Sequence, residues 1–564
     1  MGNVLFPLLL VSIPALVLLH LFIAPYTKVE ESFHVQAIHD ILSYGIPSTN
    51  ISETFQVKYD HFTFPGSVPR TFIGAVILSG LSRPIIWLNG AIDRQILARA
   101  ILGLFNASAL ASYASGVQKA FGQTAAVWYL LFQGSQFHVI YYASRTLSNM
   151  FAFGITTVAM RCLLPEPISP VKYRKRCGVS MYLLTVAGIV FRSELALFLA
   201  THTVFLFFTS HITIRREIIP AGVLGLLVGL TSTVLIDSFF WQQFPLWPEL
   251  TAFKFNVLAG QSSAWGSHPW HFYFSSAIPR LLLNPLTYIV GIPVALLTPA
   301  TRFPAASITI PSLLFVAIYS IQPHKEWRFI IYTVPPLTVT AALGATYIWN
   351  HRTKSFLFRI LSLLMILSTL ASLFLSTFIL LPASSANYPG AQALRTLHRT
   401  ADSPNPEISV YLGNLACQTG VTRFVEIPPQ SRLLYSGDSI PIVQTWHYDK
   451  TEDETVKSSA SFWSKFDYIL TEPGEEENKI RAASGKPEVW ADFDSVEGFA
   501  GLKVLRPGDE AAGLVEERVL RAVVGSRGPE IWDVVRDFAR RVVTRGWWVE
   551  VRMEPKIEIL RRVG

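Results

Sequence analysis

The sequence predicts a multi-pass α-helical membrane protein followed by a small C-terminal α/β domain. Three observations carry that expectation. Charged residues make up only 15% of the 564-residue chain, against about 25% in soluble globular proteins. Hydrophobic residues reach 51% and aromatic residues 13%, a content of Phe and Trp that excludes a disordered chain. The apolar residues also gather in long runs as far as residue 381, and the composition changes after it.

The net charge of +8 follows from Lys and Arg in cytoplasmic loops and does not require nucleic acid as a partner. Cys162, Cys177 and Cys417 allow at most one disulfide, and their spacing resembles no zinc site.

The first apolar run, residues 4–24, is long enough to cross roughly 30 Å of hydrocarbon as a helix. It leads into Pro25-Tyr26-Thr27-Lys28-Val29-Glu30-Glu31 with no small-residue cleavage site, so it reads as a retained signal anchor. Further apolar segments lie at 72–89, 96–116, 124–142, 147–164, 178–191, 194–209, 218–237, 281–298, 305–321, 329–349 and 355–381. Several fall short of about 17 residues, which predicts broken or re-entrant helices.

Orientation comes from Lys172-Tyr173-Arg174-Lys175-Arg176, Arg215-Arg216, Arg302 and His351-Arg352-Thr353-Lys354, all placed in the cytoplasm by the positive-inside rule. Parity then requires an even number of crossings before Lys172, so one of the four segments between 72 and 164 does not cross. About eleven spans result, with a cytoplasmic N-terminus. Loops 25–71, 238–280 and 322–328 and the tail from 382 fall on the opposite, lumenal face. The sequon Asn50-Ile51-Ser52 fits that side, whereas Asn106-Ala107-Ser108 lies inside an apolar segment.

The expected organisation is a membrane core over 1–381, a lumenal domain over 382–510 and an extension over 511–564. Short β-like runs at 408–412, 440–445 and 468–471 mark the domain. The extension carries apolar residues at helical spacing among many arginines, which suits either a surface-lying amphipathic helix or part of the domain.

Ionisable residues at membrane level are costly and are usually paired or functional. Glu30 and Glu31 follow the first span directly. Two adjacent carboxylates beside an apolar surface repel each other, which suits one of them for general-base work, although a solvated loop start would look the same. Tyr59, Asp60, His61 and Arg70 stand in a proline- and glycine-shaped aromatic loop, a mix that sugar and lipid-phosphate sites favour and a structural loop also uses. His324, Lys325 and Arg328 flank Glu326 at a span boundary. Three cationic groups against one acid suit a phosphate, or snorkelling interfacial anchors. Trp265, His268 and Trp270 form a second aromatic stretch, and Asp237, Glu249, Arg145, Asn149, Arg192 and Glu194 complete the polar set. Arg192 and Glu194 stand close enough in sequence to pair with each other.

Four stretches together carry a family likeness: Lys28-Val29-Glu30-Glu31-Ser32-Phe33, Tyr59-Asp60-His61-Phe62-Thr63-Phe64-Pro65-Gly66, Ser144-Arg145-Thr146-Leu147 and His324-Lys325-Glu326-Trp327-Arg328-Phe329. The chain resembles the endoplasmic-reticulum mannosyltransferases that use dolichyl-phosphate mannose, of the GT-C class of membrane glycosyltransferases. The Tyr-Asp-His loop, Phe191-Arg192-Ser193-Glu194-Leu195, Asn387-Tyr388-Pro389-Gly390 and Ala416-Cys417-Gln418-Thr419-Gly420-Val421 favour the members that add the eighth mannose, in α-1,6 linkage, to the lipid-linked N-glycan precursor. The likeness covers roughly residues 20–475.

That resemblance implies an inverting transfer to a dolichyl-diphosphate-linked oligosaccharide in the endoplasmic-reticulum membrane, on its lumenal side. The base would be Glu30 or Glu31, with Glu30 favoured because it stands where many relatives have aspartate. His324, Lys325 and Arg328 would hold the donor phosphate. Tyr59, Asp60, His61, Arg70, Arg145, Trp265 and His268 would bind substrate. Neither a metal nor a cofactor is expected, because cationic side chains can offset the leaving group's charge. The competing readings are a relative acting on another lipid-linked glycan, such as a glycosylphosphatidylinositol precursor, and a polytopic transporter. A transporter would be favoured by internal repeats, and none is visible.

Overall fold

The computed structural model describes residues 2–401, 405–428, 432–434, 442–485, 487–511 and 513–563. It divides into a helical unit, Met1–Phe22 with Asp40–Thr377, and a C-terminal unit, Ile23–His39 with Phe378–Gly564.

Among the described residues, six helices are long and apolar enough to cross a membrane: Val4–Ile23, Arg94–Phe121, Ile214–Trp241, Arg302–Tyr319, Trp327–Asn350 and Phe356–Ser385. The pair Tyr273–Leu282 and Thr287–Leu297 is bent by 113° and makes a seventh span if taken as one, while Ile73–Leu88 and Leu195–Phe208 are shorter apolar helices.

The ends are written locally. The Asp93 carboxylate accepts from the Ile96 amide at 2.9 Å and opens the helix from Arg94. Gly122, at φ 88°, closes it in a conformation that a side chain disfavours. Ser169 and Ser355 cap the helices that begin at Pro170 and Phe356.

Two breaks fall inside expected apolar segments. The 124–142 run stops at Gln136, which separates the helices Gln123–Ser135 and Phe137–Tyr142. A buried polar relay holds that junction: Tyr129 Oη donates to Gln133, Gln133 Nε2 to Gln136 at 2.8 Å, and Gln136 Nε2 to Thr338 at 2.9 Å. At the 113° bend, buried Asn284 accepts from the Leu286 amide at 3.0 Å and from Ser368 Oγ at 2.5 Å. Asn284 Nδ2 donates to Thr369 at 3.2 Å. One amide side chain thus satisfies freed backbone and ties the bend to the neighbouring span, as a broken helix at membrane depth requires. Asn106 of the apolar sequon is fully buried and donates to the Ala143 and Met150 carbonyls.

Among the described residues, the C-terminal unit is built on a six-stranded mixed sheet. Its strands are β1 (Glu407–Leu412), β2 (Arg432–Leu434), β3 (Ile442–Asp449), β4 (Tyr468–Thr471), β5 (Trp490–Leu505) and β6 (Trp548–Arg562), in the order β2-β3-β1-β4-β6-β5. β1 pairs parallel with β3 and β4, and the other pairings are antiparallel. Residues 440 and 441 of the expected run lie outside the described residues.

Alternation along β1 feeds two cores. Ile408, Val410 and Leu412 meet Leu394 and Leu397 of the helix Pro389–Thr400, while Tyr411 faces Phe462, Trp463 and Phe466. The stretch 511–564 contributes helices and a strand to this unit. Helices Leu514–Val524 and Gly528–Phe538 precede β6, which runs between β4 and β5.

Candidate active site

A cluster of ionisable groups of the helical unit surrounds the turn that follows the helix Pro170–Val190. Arg192 and Glu194 do pair: Arg192 Nε donates to both Glu194 oxygens at 2.9 and 3.1 Å. Glu194 is buried, and its Oε1 also accepts from Asn149 Nδ2 at 2.9 Å and Tyr332 Oη at 3.3 Å. Asn149 donates to Tyr332 as well, at 2.9 Å. Beside them, Glu249 Oε2 accepts the Ser193 amide at 2.7 Å. Four separate elements therefore converge on one carboxylate pair.

Phe329 joins this network to the basic cluster. The Arg192 guanidinium lies 5.2 Å and that of Arg328 5.9 Å from its ring centre. Glu326 organises the remainder, accepting from Arg328 Nη2 at 2.6 Å with His324 Nε2 at 3.0 Å. His324 Nδ1 meets the Gly266 carbonyl at 3.1 Å.

Lys325 is placed differently. It is buried, and its ammonium donates to the carbonyls of His268 at 3.0 Å, Gln322 at 2.6 Å and Pro323 at 3.4 Å. Burial lowers its pKa. The lysine stitches the 266–268 stretch to the 322–325 loop, and the His268 amide completes the seam on Pro323 at 3.1 Å. The His268 ring stacks on Phe272 at 4.2 Å, and Trp265 is exposed.

The loop at 59–70 turns its first residues, Tyr59 to His61, inward, while 63–67 are exposed. Tyr59 Oη bonds the Gly45 carbonyl, and the Asp60 amide donates to Asp40 at 2.8 Å. His61 Nε2 meets the Phe240 carbonyl at 2.9 Å among the rings of Phe62, Phe72 and Trp241. Burial lowers its pKa. Arg70 is exposed, and its carbonyl accepts from Trp241 Nε1 at 2.9 Å. Arg145 is buried, with its guanidinium 4.3 Å from the Tyr141 ring centre and Nη2 2.5 Å from that residue's hydroxyl.

Glu30 and Glu31 belong to the C-terminal unit. They form a short 3-10 turn, Val29–Glu31, that opens the helix Ser32–Tyr44. Glu31 is buried and its Oε1 accepts the Lys28 amide at 3.1 Å, whereas Glu30 is exposed. Lys28 Nζ donates to Asn387 Oδ1 at 3.1 Å and lies 5.3 Å from the Tyr388 ring centre. Further along, the Arg423 amide donates to Gln36 at 3.2 Å and His39 meets Phe424 edge-on. The Gly390 amide donates to Thr419 Oγ1 at 3.0 Å, so the 387–390 and 416–421 stretches meet each other as well as the acidic turn.

Reading the sequence did not single out Tyr332 or Asp40. Tyr332 sits inside an apolar segment and Asp40 is a lone acid within a helix, so neither forms a pattern along the chain. Among the described residues, no group of three or more His, Cys, Asp and Glu side chains is set to hold a metal ion.

Glu249 supplies a pH-dependent expectation. Burial raises its carboxyl to about 7, with Arg192 opposing the rise and Glu194 adding to it. The native state then keeps a proton that the unfolded chain loses near its ordinary value of 4.5, so this group's contribution to stability falls as pH rises from 4.5 to about 7. Glu249→Gln imitates the protonated form. In thermal unfolding of protein in nanodiscs it should match the wild type near about pH 5 and unfold at higher temperature near about pH 8. Equal behaviour at both would show that Glu249 does not titrate in this window.

Residues 9–426 match the Alg9-like mannosyltransferase family. The chain is similar to the Schizosaccharomyces pombe protein named "Probable Dol-P-Man:Man(7)GlcNAc(2)-PP-Dol alpha-1,6-mannosyltransferase", at 35% identity over 80% of this chain and 75% of that one. It is also similar to the Saccharomyces cerevisiae Dol-P-Man:Man(7)GlcNAc(2)-PP-Dol alpha-1,6-mannosyltransferase, at 34% identity over 80% and 81% of the two chains. In fold it is like ArnT from Cupriavidus metallidurans, solved bound to undecaprenyl phosphate, with a TM-score of 0.56 at 14% identity over 87% of this chain and 96% of that one.

Proposed function

The chain belongs to the Alg9-like mannosyltransferase family, and we propose that it moves mannose from dolichyl-phosphate mannose to Man7GlcNAc2-PP-dolichol, forming an α-1,6 linkage. It is a membrane glycosyltransferase with a GT-C-like fold. The observation that carries the choice of acceptor is identity of 34–35%, extending over 80% of the chain, to two enzymes named for that transfer.

The reaction takes place on the lumenal side of the endoplasmic-reticulum membrane, in a protein of about eleven spans. The 6-hydroxyl of the acceptor mannose attacks the anomeric carbon of the donor. A carboxylate takes the hydroxyl proton, and the bond from that carbon to phosphate oxygen breaks, its electron pair leaving on dolichyl phosphate. A β-linked donor gives an α-linked product by this single displacement.

Glu30 is the base. Glu31 spends an oxygen holding the Lys28 amide inside the turn, and its neighbour is the exposed carboxylate. His324 and Arg328, aligned by Glu326, bind the donor phosphate with Lys325 adding its charge from within the loop. Cationic donors placed before the reaction stabilise the charge that grows on the leaving group without reorganising. Arg70, Trp265 and His268 contact the glycan, Tyr59, Asp60 and His61 set the shape of that loop, and Arg145 supports the site from inside.

The test uses microsomes containing this chain, supplied with labelled dolichyl-phosphate mannose and the Man7 acceptor, and reads the new bond with linkage-specific mannosidases. Label in an α-1,6 bond is expected. Label appearing only in a glycosylphosphatidylinositol precursor would move the protein to another acceptor, and no transfer by folded protein would remove the reading.

A further inference from the structure

The C-terminal extension carries an apolar surface outside the part of the chain that matches the family. The family match ends at residue 426, and the helix Gly528–Phe538 with its π-turn Ala539–Val543 lies well beyond it. One face of that helix is seated on the unit: Gly528, Pro529, Trp532 and Arg536 are buried. Another face is apolar and uncovered. Ile531, Val534, Val535, Phe538 and Val542 are about half exposed or more, with Val534 at 72%. Their spacing of three, four and seven residues lines them along one side of a helix. Single exposed hydrophobics are ordinary, but a continuous stripe marks an interaction surface.

Its position identifies the occupant. Trp532 stacks on Phe378 with ring centres 5.7 Å apart and planes 3° from parallel. Phe378 belongs to the closing turns of the apolar helix Phe356–Ser385. The preceding helix, Leu514–Val524, is anchored at the same place, since Val515 packs in one cluster with Ala383 and Ala386. Both arms of the hairpin thus pack on residues 378–386, the end of the last apolar helix. The exposed charges nearby are mainly basic, Arg521, Arg527, Arg541 and Arg545 against Glu530 and Asp537. Arginines bordering an apolar face are the pattern of helices that lie in a membrane interface, with guanidinium groups reaching lipid phosphates.

We infer that the 528–543 helix is an interfacial membrane anchor, its Ile531–Val542 stripe lying in the headgroup–acyl boundary of the bilayer. The anchor fixes the sheet of the C-terminal unit at the membrane surface, since β6 follows it after four residues, 544–547.

The test uses the full chain in nanodiscs of phosphatidylcholine and phosphatidylserine, a fraction of which carries a diazirine on the acyl chain. After irradiation and digestion, lipid adducts are mapped by mass spectrometry. Adducts are expected on the 531–542 stretch as well as on the 356–374 helix, which serves as the internal standard for a folded, inserted protein. The double variant Val534→Glu with Phe538→Glu should lose the first set and keep the second. If 356–374 is labelled and 531–542 is not, the stripe lies in water or against protein and the inference falls. Undiminished adducts on 531–542 in the double variant would overturn it as well.

Discussion

Glu30→Gln is expected to lower mannosyl transfer about 10²- to 10⁴-fold, the usual contribution of a positioned general base. Glutamine keeps the size of the side chain and removes its capacity to take the acceptor's proton, so the loss should appear in kcat with donor KM little changed. Glu30→Asp should retain part of the activity. It restores a carboxylate, and a shorter one is what the family resemblance implies at this position. Glu31→Gln should behave differently. Its amide oxygen can still accept the Lys28 N–H, so the turn survives with a weaker, uncharged hydrogen bond. A modest fall in thermal stability with transfer largely preserved is the expected result. The reverse pattern, with transfer abolished by Glu31→Gln and near normal in Glu30→Gln, would give the role of base to Glu31.

Much of this arrangement was legible along the chain because its parts are local. Arg192 and Glu194 stand two residues apart, and the structure joins them at 2.9 Å. The 324–329 cluster is contiguous, and Glu326 bridges two of its cations. Apolar runs gave the positions of the long helices but not their breaks. Gln136 and Asn284 interrupt helices through partners on distant elements, Thr338 for one and Thr369 for the other. The direction in which a side chain points was equally hidden. An aromatic that faces a sugar and an aromatic that packs inside the protein have the same sequence signature; Tyr59 lies tilted against the Phe240 ring and His61 Nε2 meets the Phe240 carbonyl. The three carbonyls that the Lys325 ammonium meets were hidden in the same way. The association of Glu30 and Glu31 with the C-terminal unit joins residues more than 350 positions apart through Lys28 and Asn387, and no periodicity encodes such a contact.

Arg192→Met is expected to cost about 3 kcal/mol of stability, the low end for breaking a buried ion pair because the Arg192 side chain is itself 25% exposed. Methionine replaces much of the packing volume, so the loss is electrostatic. Glu194 would be left buried with only the neutral donors Asn149 and Tyr332. Glu249 would lose the cation that opposes the rise of its carboxyl pKa. Adding Glu194→Gln removes the orphaned charge while keeping an acceptor for Asn149, so the double variant should recover most of the stability in thermal unfolding of protein in nanodiscs. That recovery separates a charge effect from a packing effect. If the double variant unfolds no later than Arg192→Met, the pair is dispensable and the guanidinium matters for its contact with Phe329. The consequence for catalysis follows from the same ring, because Arg328 also lies over Phe329. Loss of Arg192 should therefore loosen Arg328 as well, raising donor KM more than it lowers kcat.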